Sequence, residues 1–144
     1  MKTQKDEQTQ RLLILIKLDA NNLFDRIKER KNDYLEIFAL RRTREHFPQI
    51  FKNRYQDLPL LELKKCNEDL ITLLDHFYKI VDDMSWYLYA TEDMPGTVEM
   101  FVDRKIIQLE KHILNLNFYL NVELGVEDSV MIANQEVLKE DSSQ

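Results

Sequence analysis

The sequence predicts an all-α fold, an antiparallel four-helix bundle with long third and fourth helices, and three observations carry the expectation. Only two glycines and three prolines occur in 144 residues, where an average composition near 7% glycine would supply roughly ten. A β-rich chain needs turn chemistry every ~8 to 12 residues, so breakers this scarce mean long elements. Apolar residues recur at three- and four-residue spacing on both sides of Met94-Pro95-Gly96-Thr97, which is the period of a helix face. Finally, 44% of residues are apolar and 32% charged, enough for one continuous core and unlike a disordered composition. One domain over residues 1–144 is expected, with polar tails at 1–8 and 139–144 disordered.

The first helix is expected to start near Asp6 or Thr9. Leu12, Ile16, Ala20, Leu23 and Ile27 share one face, widened by Leu13 and Phe24. Asp33-Tyr34-Leu35-Glu36 has the form of a capping box and opens a second helix that turns Tyr34, Leu35 and Phe38 inward. Nothing between Arg26 and Tyr34 forbids an uninterrupted rod, so one, two or three helices over 6–55 all fit the pattern. Pro48 removes a backbone donor and disfavours helical geometry at Phe47, which predicts a kink or break there. Phe47, Phe51 and Tyr55 follow at four-residue spacing, an aromatic stripe read as core packing rather than a ligand box.

Asp57-Leu58-Pro59 offers a cap and a first-turn proline, opening the third helix. From there Leu63, Cys66, Leu70, Leu73, Phe77, Ile80, Met84 and Tyr87 alternate in threes and fours, the spacing of a coiled-coil-like seam. A helix over 59–90 would be ~48 Å long at ~1.5 Å per residue. The proline-glycine corner, with Thr97 as cap, then reverses the chain. Val98, Val102, Ile106, Leu109, Ile113, Leu116, Leu120 and Leu124 form the stripe of the fourth helix, closed by Gly125 in a left-handed cap. Together the two helices predict an antiparallel hairpin. Val130, Met131, Val137 and Leu138 would suit a short terminal helix capped by Asp128 or Ser129.

A single cysteine, Cys66, excludes an intramolecular disulfide, and no Asn-x-Ser/Thr acceptor occurs; both fit a cytoplasmic protein. The apolar run Leu12 to Ile16 stops at Lys17, too short for a signal-peptide core or a membrane span. Charge is divided: residues 1–66 carry 15 Lys/Arg against 10 Asp/Glu, residues 67–144 carry 5 against 16. The halves should attract, within one chain or across a dimer.

Chemical constellations are sparse. The chain has no Glu-x-x-His, His-x-x-x-His or Cys-x-x-Cys, so helix-borne metal pairs are not expected. Two distant glycines cannot build a phosphate loop. Ser85 lacks a strained elbow, and Cys66 reads as core. Asp82, Asp83, Glu99 and Asp103 fall short of a magnesium cluster, because adjacent acids point ~100° apart on a helix. The sequence therefore assigns no catalytic residue, metal or cofactor. Arg26, Lys28, Arg30, Lys31, Arg41, Arg42 and Arg44 can converge on the first junction; without a recognition-helix signature they favour a solvated or protein-docking face over nucleic acid. Trp86, Tyr87 and Tyr89, with Met84, Met94 and Met100, cluster near the corner. Consecutive aromatics cannot all face one core, so some must be covered by the bundle tip, another subunit or a partner.

The expected function is that of a non-enzymatic cytoplasmic interaction module: an adaptor, export chaperone, or antitoxin- or immunity-like regulator. It would bind a protein partner through Trp86, Tyr87, Tyr89, Met94, Arg41, Arg42 and Arg44, with a homodimer as a further expectation and no membrane association. Two alternatives compete with it. One is a small metal-binding or hydrolytic enzyme using His76, His112 and nearby carboxylates, with His46 unassigned. The other is a nucleic-acid-binding regulator working through the Arg/Lys patch.

Overall fold

A computed structural model describes residues 7–125. The expected short helix at 130–138 and the outermost tail residues, 1–6 and 139–144, lie outside the described residues. Every regular element among the described residues is helical, and none is a strand.

Helix α1 (Glu7–Glu29) includes residues 7 and 8, which the sequence placed in the tail. Glu7 in its first turn and Arg26 and Lys28 in its last complement the helix dipole. Leu12, Leu13, Ile16, Ala20, Leu23, Phe24 and Ile27 are all buried, as the stripe requires. The helix does not continue as one rod. The chain bends at Arg30, and α2 (Lys31–Arg41) begins without a side-chain cap. The capping box at Asp33 does not form, because a helix starting at Lys31 already has the amide of Tyr34 bonded to the Arg30 carbonyl at 3.0 Å. The Tyr34 hydroxyl closes the bend by donating to the Ile27 carbonyl at 2.8 Å, one of the last-turn acceptors that α1 leaves without a helical donor.

The break after α2 falls ahead of Pro48. Arg42 caps α2 with φ of 55°, and Pro48 instead occupies the first turn of α3 (Phe47–Ile50), where its missing amide has no helical acceptor to lose. Phe47 and Phe51 are buried and Tyr55 is half-buried, so the aromatic stripe packs as core although no single helix carries it. The third long helix also starts later than 59. Pro59 has a ψ of 75°, which is not helical; short 3-10 helices flank it at Tyr55–Asp57 and Leu60–Lys65. Helix α4 spans Glu68–Ala90, capped by the Asn67 side chain, which accepts from the Asp69 amide at 2.7 Å. Cys66 consequently sits before the helix, half-buried at the core edge.

Within α4, Leu70, Phe77 and Met84 are buried as expected, but they alternate with Leu74, Val81 and Leu88. Leu73, Ile80 and Tyr87, the expected partners in the seam, are only partly buried. The core centre is shifted because α4 is covered on two sides, by α5 and by the 47–58 segment, where Tyr55 stacks on Tyr78 at 3.9 Å. Helix α5 (Pro95–Leu124) has Met94 at its N-cap, not Thr97, with Pro95 in its first turn. It buries Val98, Val102, Ile106, Leu109, Ile113, Leu116 and Leu120; Leu124 is half-buried. Gly125 closes it at φ 74°, a left-handed cap that glycine adopts without a Cβ penalty.

Side-chain pairs fix the topology. Lys17 with Asn121, Asn21 with Asn117 and Lys28 with Glu110 show α1 and α5 antiparallel. His76 beside His112 and Tyr87 on Phe101 show the same for α4 and α5. Helices α1 and α4 are therefore parallel, and the chain between them must travel back along the bundle. Its course is pinned by Arg26 donating to the Lys52 carbonyl at 2.8 Å, the Arg54 amide donating to Asp19 at 2.9 Å, and Thr9 donating to Glu62 at 3.4 Å. Where the sequence suggested a second antiparallel rod, α2, α3 and two 3-10 turns form an irregular return segment.

Asp19 also accepts from the Tyr78 hydroxyl at 2.6 Å, so one carboxylate joins α1, the return segment and α4. Because hydrogen bonds to a charged group contribute more than neutral ones, Asp19→Ala, which loses two, is expected to lower stability by about 2–3 kcal/mol and Tyr78→Phe, which loses one, by about 1.5 kcal/mol. Urea denaturation of the three proteins measures both.

Candidate functional site

The last turn of α4 reads Trp86-Tyr87-Leu88-Tyr89, and steps of 100° spread these four side chains around the helix. Leu88 is buried. Tyr87 is half-buried and stacks on Phe101, ring centroids 3.7 Å apart at 23°. Its hydroxyl donates to Asp93 at 2.5 Å; burial first, and then this bond, push the hydroxyl pKa up to about 12. Tyr87 thus holds the α4–α5 corner rather than standing free for a partner. Trp86 and Tyr89 remain 66% and 75% exposed, and Met94, at the head of α5, is 65% exposed.

The arginine-bearing turn reaches the same corner. Arg44 Nη1 donates to the Leu88 carbonyl at 2.6 Å, and its guanidinium lies 5.2 Å from the Phe38 ring centroid. A cation at the C-terminal end of α4 is stabilised by the helix dipole and by the ring face. Arg41 and Arg42 are exposed and make no ion pair among the described residues. Arg42 adopts the left-handed conformation, the only non-glycine residue among those described to do so.

The rest of the basic group is dispersed instead of converging. Lys28 pairs with Glu110 at 2.8 Å, Lys31 pairs with Asp103, and Arg26 is engaged by the return segment. Two of the attractions expected between the basic and acidic halves are therefore made within the chain, between α1–α2 and α5. Asp82, Asp83 and Glu99 are exposed.

His76 and His112 are brought together across α4 and α5, with ring centroids 6.1 Å apart and nearly perpendicular. Burial, and secondarily the neighbouring His76, lowers the His112 pKa. His46 lies elsewhere, with Nε2 2.8 Å from the Tyr34 carbonyl. Nδ1 of both His46 and His112 is buried without a hydrogen-bond partner among the described residues. Among those residues no three His, Cys, Asp or Glu side chains stand close enough to hold a metal ion.

One surface escaped the sequence reading. A groove of about 500 Å³ runs between the outer face of α1 and the return segment, lined by Leu15, Leu18, Asp19 and Arg26 from α1 and by Lys52, Arg54 and Leu58 from the segment. The signal was present in Leu12-Leu13-Ile14-Leu15-Ile16: five consecutive apolar residues exceed what one helix face can bury, so Ile14 and Leu15 had to point outward.

The chain matches no protein-family model, no curated protein and no solved structure. No helix among the described residues is long and apolar enough to cross a membrane.

Two consequences are measurable. A depressed His112 pKa means that the unfolded chain takes up this proton first as pH falls, so stability should decline below the ordinary histidine value of about 6.5 until the folded-state value is passed. Denaturation midpoints at pH 7.5 and 5.5 should show that decline, and His112→Gln should flatten it. At Arg42 the left-handed backbone costs an L-residue roughly 1–2 kcal/mol. Arg42→Gly should accordingly hold stability level or raise it by up to about 1 kcal/mol, while Arg41→Gly, inside α2, should lower it by about 0.5–1 kcal/mol.

Proposed function

We propose that this protein is a non-enzymatic, cytoplasmic interaction module that presents the α4–α5 corner to a protein partner. The observation that carries the reading is the exposure of Trp86, Tyr89 and Met94 at one corner, beside a turn bearing Arg41 and Arg42 that Arg44 ties to Leu88. Tryptophan, tyrosine, methionine and arginine are the side chains enriched where interfaces bury most of their energy. The frame beneath them is stiff: Tyr87 stacked on Phe101 and Arg44 bound to the helix end limit the ordering cost of binding. Arg42 adds an exposed charge to the same turn, held on a left-handed backbone.

Such a module fits the work of an adaptor, an export chaperone, or an antitoxin- or immunity-like regulator, all of which act by covering a partner's surface. Tyr87 and Arg44 serve in this reading as positioning residues; Trp86, Tyr89, Met94, Arg41 and Arg42 make the contacts. The antiparallel four-helix arrangement expected of one chain belongs to the same proposal, with α2 and the rest of the return segment in the place of the second rod.

Affinity capture from the native host, followed by mass spectrometry, should return a protein retained by the wild type. Trp86→Ala with Tyr89→Ala should weaken its affinity at least ~30-fold, equivalent to about 2 kcal/mol at a dominant anchor. Arg41→Ala with Arg42→Ala should weaken it less and mainly slow association. A partner held equally well by the aromatic double variant would refute the reading.

A further inference from the structure

The outer face of the α1–α5 pair is a second apolar surface, and its pattern points to another copy of this chain. On α5, Asn117, Asn121 and Glu110 meet α1, while Leu109, Ile113 and Leu116 face the core. At 100° per residue, Met100, Ile107 and Leu114 then fall on the side away from the core, next to the α1 contact. All three are exposed, Ile107 by 54%. Their seven-residue interval is the period that keeps a seam on one side of a helix through a long helix–helix contact. The same construction on α1, where Lys17, Asn21 and Lys28 meet α5, puts exposed Ile14 and Leu18 on the same outer face. They lie at the height of exposed Val122.

Charge selects the occupant and its direction. Arg104 and Lys111 border the α5 stripe on the side away from α1, and Asp25 and Glu29 lie on the outer face of α1. All four are exposed; Asp25 and Glu29 act electrostatically on Lys28 of their own helix, and none of the four is in an ion pair among the described residues. We propose that two copies associate through this face, α5 packed parallel to α5 around a two-fold axis along the helices. In that arrangement each α1 lies over the basic border of the other copy's α5. The antiparallel pairs within one chain, Lys17 with Asn121 and Lys28 with Glu110, set the heights. Asp25 and Glu29 face Lys111 of the second copy, and Ile14 and Leu18 face its Val122. An antiparallel pairing would instead set Arg104 against Lys111 of the second copy, two like charges in contact.

The size is adequate. From Met100 to Val122 the face is ~33 Å long at ~1.5 Å per residue, and two helices make it ~20 Å wide. That is roughly 650 Å² per copy, within the ~600–1,000 Å² each partner buries in a standard interface. Helices α1 and α5 of both copies would then form a four-helix layer between chains. This inference deepens the reading of the protein as an interaction module and uses a face separate from the Trp86 corner.

Sedimentation velocity of the full chain over a wide concentration range tests it. The expected species is a dimer of the 17.4 kDa chain. Ile107→Glu and, separately, Leu114→Glu should raise the dissociation constant at least tenfold, with helical circular dichroism unchanged because both sites are solvent-facing. Lys111→Glu should weaken the dimer, and adding Asp25→Lys and Glu29→Lys should restore it. A monomer at every concentration overturns the proposal, as does a dimer indifferent to both glutamate substitutions. Tightening by Lys111→Glu overturns the parallel direction. A monomer that still holds a partner through Trp86 removes this inference alone.

Discussion

Two helices that each run antiparallel to a third must run parallel to each other, and parallel neighbours cannot be joined by a short turn. Helix α5 imposes that constraint here. Its Leu109, Leu116 and Leu120 face inward between α1 and α4, so it serves as the common wall of the core. The 38-position interval from Arg30 to Asn67 must then carry the chain the length of the bundle. A return segment without a helical ladder has backbone donors and acceptors that need other partners. Asp19 and Arg26 of α1 provide partners for the Arg54 amide and the Lys52 carbonyl, while Tyr34 and Arg44 of the segment itself donate to the helix-end carbonyls of Ile27 and Leu88. Polar side chains that look like surface residues in a linear reading are thus the fasteners of the fold.

The same geometry decides what is left outside. With three long helices among the described residues, α1 and α5 each have one face toward the core and one that carries exposed apolar side chains. Both carry apolar residues on both faces, as Ile14, Leu18, Ile107 and Leu114 show. At the far end of the molecule, four consecutive large side chains in the last turn of α4 divide between burial and exposure. Leu88 and Tyr87 are consumed in building the corner; Trp86 and Tyr89 are displayed by it. Electrostatics follows the same division. Lys28 and Lys31 are neutralised across the helix interface by Glu110 and Asp103, whereas Arg41, Arg42, Arg104 and Lys111 keep their charge for solvent or a partner.

Much of the fold was legible because helix periodicity is a local property. The α1 and α5 stripes and the Gly125 cap could be read residue by residue, since each depends on neighbours within a few turns. Errors gathered where two local signals compete and a distant contact chooses between them. Asp33 has the residues of a capping box, but α2 already starts at Lys31, with the Tyr34 amide bonded to the Arg30 carbonyl and the Tyr34 hydroxyl to that of Ile27. Pro48 and Pro59 both signal a boundary; neither residue announces whether a helix stops before it, starts at it, or gives way to a 3-10 turn. Half of the α4 seam, Leu73, Ile80 and Tyr87, gave way to Leu74, Val81 and Leu88 because Tyr55, back in the return segment, covers Tyr78 and turns that side of the helix inward. For the candidate site, the aromatic arithmetic found the corner, yet it could not separate Tyr87, held by Phe101, from its exposed neighbours. Nor could it see that Arg44 is bound to a helix end while Arg41 and Arg42 are free of such bonds.

The sequence by itself determined that the described residues are helical, where the apolar ridges of α1 and α5 lie and where α5 ends, because those follow from backbone preferences and spacing within a few residues. Only the tertiary structure decided which ridge faces which, that the second expected rod is a return segment, and which of the aromatic and basic side chains stay uncovered. Those outcomes depend on contacts between residues dozens of positions apart. Solvent exposure is set by what packs against a side chain, and that neighbour is not written beside it in the chain.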